Sequence, residues 1–149
     1  MTDRILFDTN LLVYAYDRSE PAKMERAVEV LDRLLSRRAG AISTQVLAEF
    51  FTTVTRKLAS PLETEDAEKE VLRHLRAWTV FELTRMTVLE AIRGVRVHRL
   101  NYWDAQIWAA ARLNSISVVL SEDFSERSVL EGVRFLNPLR PGFRIADWT

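Results

Sequence analysis

Short apolar runs alternate with longer amphipathic stretches along the whole chain. Ile5-Leu6-Phe7 is an unbroken apolar triplet that stops at Asp8-Thr9-Asn10, and an apolar run closed by turn-forming residues predicts a buried strand. The apolar-rich residues 11–16 then predict a helix start. Glu20-Pro21 opens a second helix to about residue 38, because proline suits the first helical turn. Gly40-Ala41-Ile42-Ser43 predicts a second strand. Thr44 stands where a cap precedes a helix carrying Val46, Leu47, Phe50, Phe51, Val54 and Leu58, and Ser60-Pro61 closes that stretch.

The second half repeats the alternation. Residues 64–77 form a charged helical pattern, 79–83 a candidate strand, and 84–97 a helix with Gly94 near its end. The pattern over 101–114 is the clearest helix. Ser117-Val118-Val119-Leu120 and Val133-Arg134-Phe135-Leu136 are β-branched and aromatic runs that read as the last two strands. Strand followed by helix throughout predicts an α/β fold on a mainly parallel sheet. With 149 residues, 48% hydrophobic and 28% charged, and no linker or repeat, one domain over 1–149 is expected.

Composition narrows the chemistry. Lys plus Arg (21) equals Asp plus Glu (21), so any polyanion must be drawn by a local patch rather than by overall charge. Cysteine is absent, which removes disulfides, thiolate metal sites and cysteine nucleophiles. The first residues meet an acid before any apolar stretch reaches signal-peptide length, and no later run could span a bilayer. A soluble cytoplasmic protein with no membrane partner is therefore expected.

In a parallel sheet, strand C-termini and the N-termini of the following helices share one edge, where ligands bind. Asp8 follows the first strand, Asp123 follows 117–120, Asp104 lies in the first turn of its helix and Glu49 about one turn into its own. Each alone is explained by the preference of carboxylates for turns and helix N-termini, and Asn101 to Asp104 even resembles a capping box. Asp104, however, continues the stripe of Ile107, Trp108 and Ala111. A carboxylate there needs a cation or several donors. Glu49 lies away from the centre of its helix's apolar stripe and is nominated by that helix's place in the alternation. Several carboxylates on one rim repel each other, and hard oxygen-seeking cations such as Mg²⁺ or Mn²⁺ resolve the repulsion. That arrangement suits phosphodiester hydrolysis.

The ordered set Ile-Leu-Phe-Asp8-Thr9-Asn10, Ser43 to Glu49, Tyr102-Trp103-Asp104-Ala105 and Leu120-Ser121-Glu122-Asp123-Phe124 resembles the motifs of PIN domains, with the spacing of VapC-type bacterial toxins. Gly132 to Pro138 resembles a tail common among such toxins. The resemblance implies a three-layer α/β/α sandwich and a metal-dependent endoribonuclease whose metal-binding and catalytic acids are Asp8, Glu49, Asp104 and Asp123. It also implies support from Thr9, Asn10 and Ser121, the last standing where a threonine is usual. Mg²⁺ or Mn²⁺ as cofactor, an RNA substrate, a cognate VapB-type antitoxin and a homodimer follow from the same resemblance. Glu122 is either a substitute ligand or solvent-facing.

Other residues are weighed against blander roles. Arg93, Arg96 and Arg99, with Arg56 and Lys57, could form a basic flank for RNA phosphates or a solvated salt-bridged face. Trp103 is expected to pack rather than to stack a base. His74 and His98 have no partner at ligand spacing. Tyr14, Tyr16, Leu11, Phe50 and Phe51 are expected mostly in the core. Two other functions remain open: a PIN-like module that binds RNA or protein without catalysis, and a haloacid-dehalogenase-like phosphatase. The latter normally places an acid where Asn10 stands.

Overall fold

A computed structural model describes residues 3–124 and 129–149. Strand β1 (Ile5–Phe7) leads into the short helix α1 (Thr9–Tyr14) and then α2 (Pro21–Ser36). Strand β2 (Gly40–Ser43) is followed by α3 (Thr44–Arg56) and α4 (Thr64–Ala77). Strand β3 (Thr79–Phe81) precedes α5 (Arg85–His98) and α6 (Tyr102–Leu113), and β4 (Val118–Leu120), β5 (Val129–Leu130) and β6 (Val133–Leu136) complete the sheet. A short 3-10 turn at Ile145–Asp147 lies near the end.

The six strands lie in the order β3-β2-β1-β4-β6-β5. All neighbours are parallel except β5 with β6. From β1 the chain works outward through β2 to β3, then returns to place β4 on the other side of β1. Right-handed crossovers in opposite directions put α1–α4 on one face and the α5–α6 pair on the other, giving the expected three layers. The reversal point between β1 and β4 is where such sheets open a crevice.

The sequence pattern and the structure differ in places that have local causes. Helix α1 begins at Thr9 because Asp8 is its cap, accepting from the Thr9 amide at 2.7 Å. The cap of α3 is Ser43 rather than Thr44: its hydroxyl accepts from the Val46 amide, while the Thr44 hydroxyl accepts from the Leu83 amide at 3.0 Å. Helix α3 ends at Arg56, before Ser60-Pro61. The antiparallel strand β5 was not expected. It is two residues long and is turned back onto β6 by Glu131 and Gly132, both at positive φ.

The core holds Phe7, Phe50, Trp108 and Phe135, all fully buried, with Leu6, Leu11, Leu12 and Ile42. Leu11 and Phe50 thus pack as expected, and Tyr14, Tyr16 and Phe51 are half-buried against the core. Gly94 marks a close approach of α5 to α6: a Cβ there would meet the Trp108 ring at 2.8 Å. His74 is buried and held at both ring nitrogens. Trp78 Nε1 donates to its Nδ1 at 3.0 Å, so the neutral ring carries its proton on Nε2 and donates to the Tyr16 oxygen at 2.8 Å, and Tyr16 donates to Glu70 at 2.6 Å. Burial lowers the His74 pKa to about 4. Among the described residues no helix is long and apolar enough to cross a membrane.

Candidate active site

The register of β1 and β4 sets the site. Phe7 pairs with Leu120, and the Asp8 amide donates to the Leu120 carbonyl at 2.9 Å, so the residues leaving both strands emerge side by side. Ser121 exploits this: its hydroxyl donates to Asp8 Oδ2 at 2.8 Å and accepts from the Asp123 amide at 3.1 Å. Asp8 Oδ1 takes the Thr9 amide, and Asn10 Nδ2 donates to Asp123 Oδ2 at 3.2 Å. The serine that replaces the usual threonine therefore bridges two of the four acids, and Asn10 reaches the second of them.

Asp104 enters from the other side of the rim, on the first turn of α6. Asn101 caps that helix by accepting from the Trp103 amide at 2.9 Å, and no hydrogen bond or ion pair holds the Asp104 carboxylate among the described residues. The capping-box alternative for Asp104 is not what forms. Asp8, Asp104 and Asp123 each offer a carboxylate oxygen, and the three oxygens lie within 4.8 Å of one another. Glu49 is not in that trio, but it lines the same cleft, of about 290 Å³, together with Thr9, Asn10, Tyr14, Trp103 and the three aspartates.

Electrostatics follow from burial without compensation. The Asp8 pKa is raised from 3.8 to about 6, chiefly by desolvation, with Asp123 and Glu49 adding to it against the Thr9 and Ser121 hydrogen bonds. Asp104 is raised for the same reasons, desolvation first and then Asp123 and Glu49. Among the described residues no lysine, arginine or histidine pairs with any of the four. The Thr9 hydroxyl, buried in the cleft wall, also lacks a partner. An all-oxygen donor set, clustered and unneutralised, fits a hard divalent cation, and the orphaned hydroxyl leaves one more polar atom for a bound species.

Two glutamines that sequence reasoning passed over complete the site. Gln106 Nε2 donates to Gln45 Oε1 at 2.8 Å. Gln45 Nε2 in turn donates to Glu49 Oε1 at 2.8 Å and to the Trp103 carbonyl at 3.2 Å. Both glutamines are buried. The available signals were a buried-face glutamine one turn before Glu49 and another in the apolar stretch after Asp104.

The remaining candidates lie elsewhere. Glu122 is turned away from the trio, accepting from Tyr14 at 2.6 Å, with Lys23 at 3.8 Å. Arg93 is bound to Glu90 and Glu131. Glu131 precedes β6 and so lies toward the edge of the sheet opposite the acids. The salt-bridged reading thus describes Arg93. Arg96 and Arg99, like Arg56 and Lys57, are exposed and do not line the cleft. His98 meets Glu131 at 2.6 Å, and neither histidine lines the cleft. Trp103 overturns its expectation of packing: it is 61% exposed, at the rim-end of α6 with the Tyr102 ring edge on to it at 5.1 Å.

Comparison with known proteins agrees with this geometry. A family model described as the PIN domain matches residues 5–128. No curated protein sequence matches. Among solved structures, a toxin–antitoxin complex from Klebsiella pneumoniae is similar at a TM-score of 0.65 and 18% identity, over 90% of this chain and 97% of that one. VapC20 of Mycobacterium tuberculosis, described as a sarcin–ricin-loop-cleaving toxin, is similar at 0.63 and 21% identity, over 87% and 98%. DNA-bound VapBC from Salmonella typhimurium is similar at 0.64 and 17% identity, over 92% and 99%. With the family model spanning β1 to β4, the cleft and all four acids, the chain belongs to the PIN-domain family.

Proposed function

We propose that this protein is a metal-dependent endoribonuclease acting as the toxin of a toxin–antitoxin pair. The observation that carries the reading is the trio Asp8, Asp104 and Asp123, three carboxylate oxygens within 4.8 Å and no cationic side chain on them among the described residues. These three would hold Mg²⁺ or Mn²⁺, with Glu49 facing the same cleft. A divalent ion there supplies positive charge for a scissile phosphodiester and acidifies a water molecule.

The chain's own residues have separable tasks. Ser121 and the Thr9 amide orient Asp8, so that both its oxygens have fixed directions. Asn10 orients Asp123. Gln45 ties one oxygen of Glu49. Glu49, which lines the same cleft, would be the fourth acid of the set and would accept a proton from water during hydrolysis. The toxin role and a VapB-type antitoxin as partner are supported by the similarity to toxin–antitoxin structures, and a homodimer is proposed from the family resemblance alone.

The test uses the purified chain, free of any partner, on mixed RNA with Mg²⁺, Mn²⁺ or chelator. Cleavage is expected with metal and not with chelator. Asp104→Asn should cut the rate about a hundredfold or more and weaken metal binding in calorimetry without lowering the thermal melt of metal-free protein. Wild-type protein that binds no divalent ion and cleaves no RNA would remove the proposal.

A further inference from the structure

We propose that Trp103 is a stacking platform for one unpaired nucleobase beside the scissile phosphate. The inference rests on the ribonuclease reading and adds to it a residue that contacts a base.

Three observations carry it. Trp103 is 61% exposed, whereas Trp108 is fully buried and Trp78 nearly so. Trp103 lines the acid cleft itself, next in sequence to Asp104 and together with the apolar Val13 and Ile107. Its backbone, by contrast, is pinned on both sides: the amide donates to Asn101 Oδ1 at 2.9 Å, and the carbonyl accepts from the buried Gln45 at 3.2 Å. The indole is thus held in place without being covered.

The ligand class follows from the chemistry. A flat apolar ring left in water gains when a second flat ring covers it, and base–aromatic stacking is tolerant of base identity. A phosphodiester engaged at the acid trio places the bases on either side of it within the same cleft. In a duplex those faces are already stacked on neighbours, so only an unpaired base can offer one. Gln45 links the two functions, since one amide group holds both the Glu49 carboxylate and the Trp103 main chain.

The experiment compares wild type, Trp103→Phe and Trp103→Ala on a single-stranded RNA oligonucleotide with a mapped cleavage site, on the same sequence as a duplex, and on versions with the base removed on either side of the cut. Wild type should prefer the single strand. Trp103→Ala should raise KM about tenfold with Mg²⁺ affinity unchanged in calorimetry, and Trp103→Phe should retain most of the wild-type KM. Removing the base at one flanking position should cost wild type a similar factor and cost Trp103→Ala nothing more. An unchanged KM in Trp103→Ala overturns the inference, as does an equal loss on intact and base-less RNA, which would assign the indole to the shape of the cleft rather than to a base. Those outcomes leave the ribonuclease reading standing, whereas wild type that neither binds nor cleaves the oligonucleotide removes both.

Discussion

Gln45 has no freedom left in its amide group. Its oxygen accepts from Gln106 and its nitrogen donates to Glu49 and to the Trp103 carbonyl, so the orientation is set by the carboxylate and the carbonyl, which can only accept. Replacing it by leucine strands the buried Gln106 amide, a defect that costs about 1–3 kcal/mol. Gln45→Leu should therefore lower the melting temperature and, by freeing Glu49, reduce cleavage roughly 10- to 100-fold. Adding Gln106→Leu removes the stranded donor, and the double variant should regain stability without regaining activity. Melts in which the double variant is no more stable than the single one would show that the relay is not what holds these residues. The importance of Gln45 was not legible in the sequence, because a glutamine announces neither charge nor metal affinity. Trp103 was misjudged for the opposite reason: aromatic residues usually pack, and only the rim position of its side chain breaks that habit.

At the scale of elements, legibility tracked length and amphipathic contrast. The bounds of α4 and the strand at 133–136 match the pattern residue for residue, and α6 differs by one residue at each end. Helix α1, six residues long and starting from an acid that caps it, carries too few turns to display a period. Strand β5 has two residues, and its pairing is made by the left-handed Glu131-Gly132 turn rather than by any run of its own. The α5–α6 contact was equally silent, since Gly94 reads as a helix end in sequence and turns out to admit the Trp108 ring. Alanine at 94 gains up to about 1 kcal/mol of helix propensity, but its methyl meets two aromatic carbons of a fully buried indole, at 2.8 and 2.9 Å. Overpacking of that kind costs about 1–3 kcal/mol. The Gly94→Ala chain should thus melt lower than wild type in calorimetry. A rise in melting temperature would mean that Trp108 moves aside freely, and with it the turn whose Leu130 carbonyl it holds at 3.1 Å.

For the whole molecule, acids and bases balance, yet four acids line one cleft at the reversal point of the sheet. That unevenness makes stability a reporter of the site. Asp8 titrates near 6 in the folded protein and near 3.8 otherwise, so its protonation favours the fold. The contribution is fully present below about pH 3.8 and is lost as the pH rises through 6, leaving ionised Asp8 at neutral pH as a cost of about 3 kcal/mol to the metal-free protein. Asparagine keeps the shape and the oxygen for the Thr9 amide without the charge. Metal-free Asp8→Asn should therefore melt above wild type at pH 7, and the difference should shrink as the pH falls below 6 and vanish below about 3.8. Divalent ion reverses the ranking: at a hundred times its dissociation constant it stabilises wild type by about 2.7 kcal/mol, roughly 5–10 °C for a chain of this size, and Asp8→Asn only weakly. Protons compete for the same oxygens, so the metal-induced rise in wild type should itself shrink between pH 7 and pH 5. Scanning calorimetry of both proteins across that range, with and without Mg²⁺, reads all of these signs. A metal-free Asp8→Asn that melts below wild type at pH 7 would mean that the Ser121 and Thr9 hydrogen bonds outweigh desolvation, and that Asp8 is ionised in the fold at little cost.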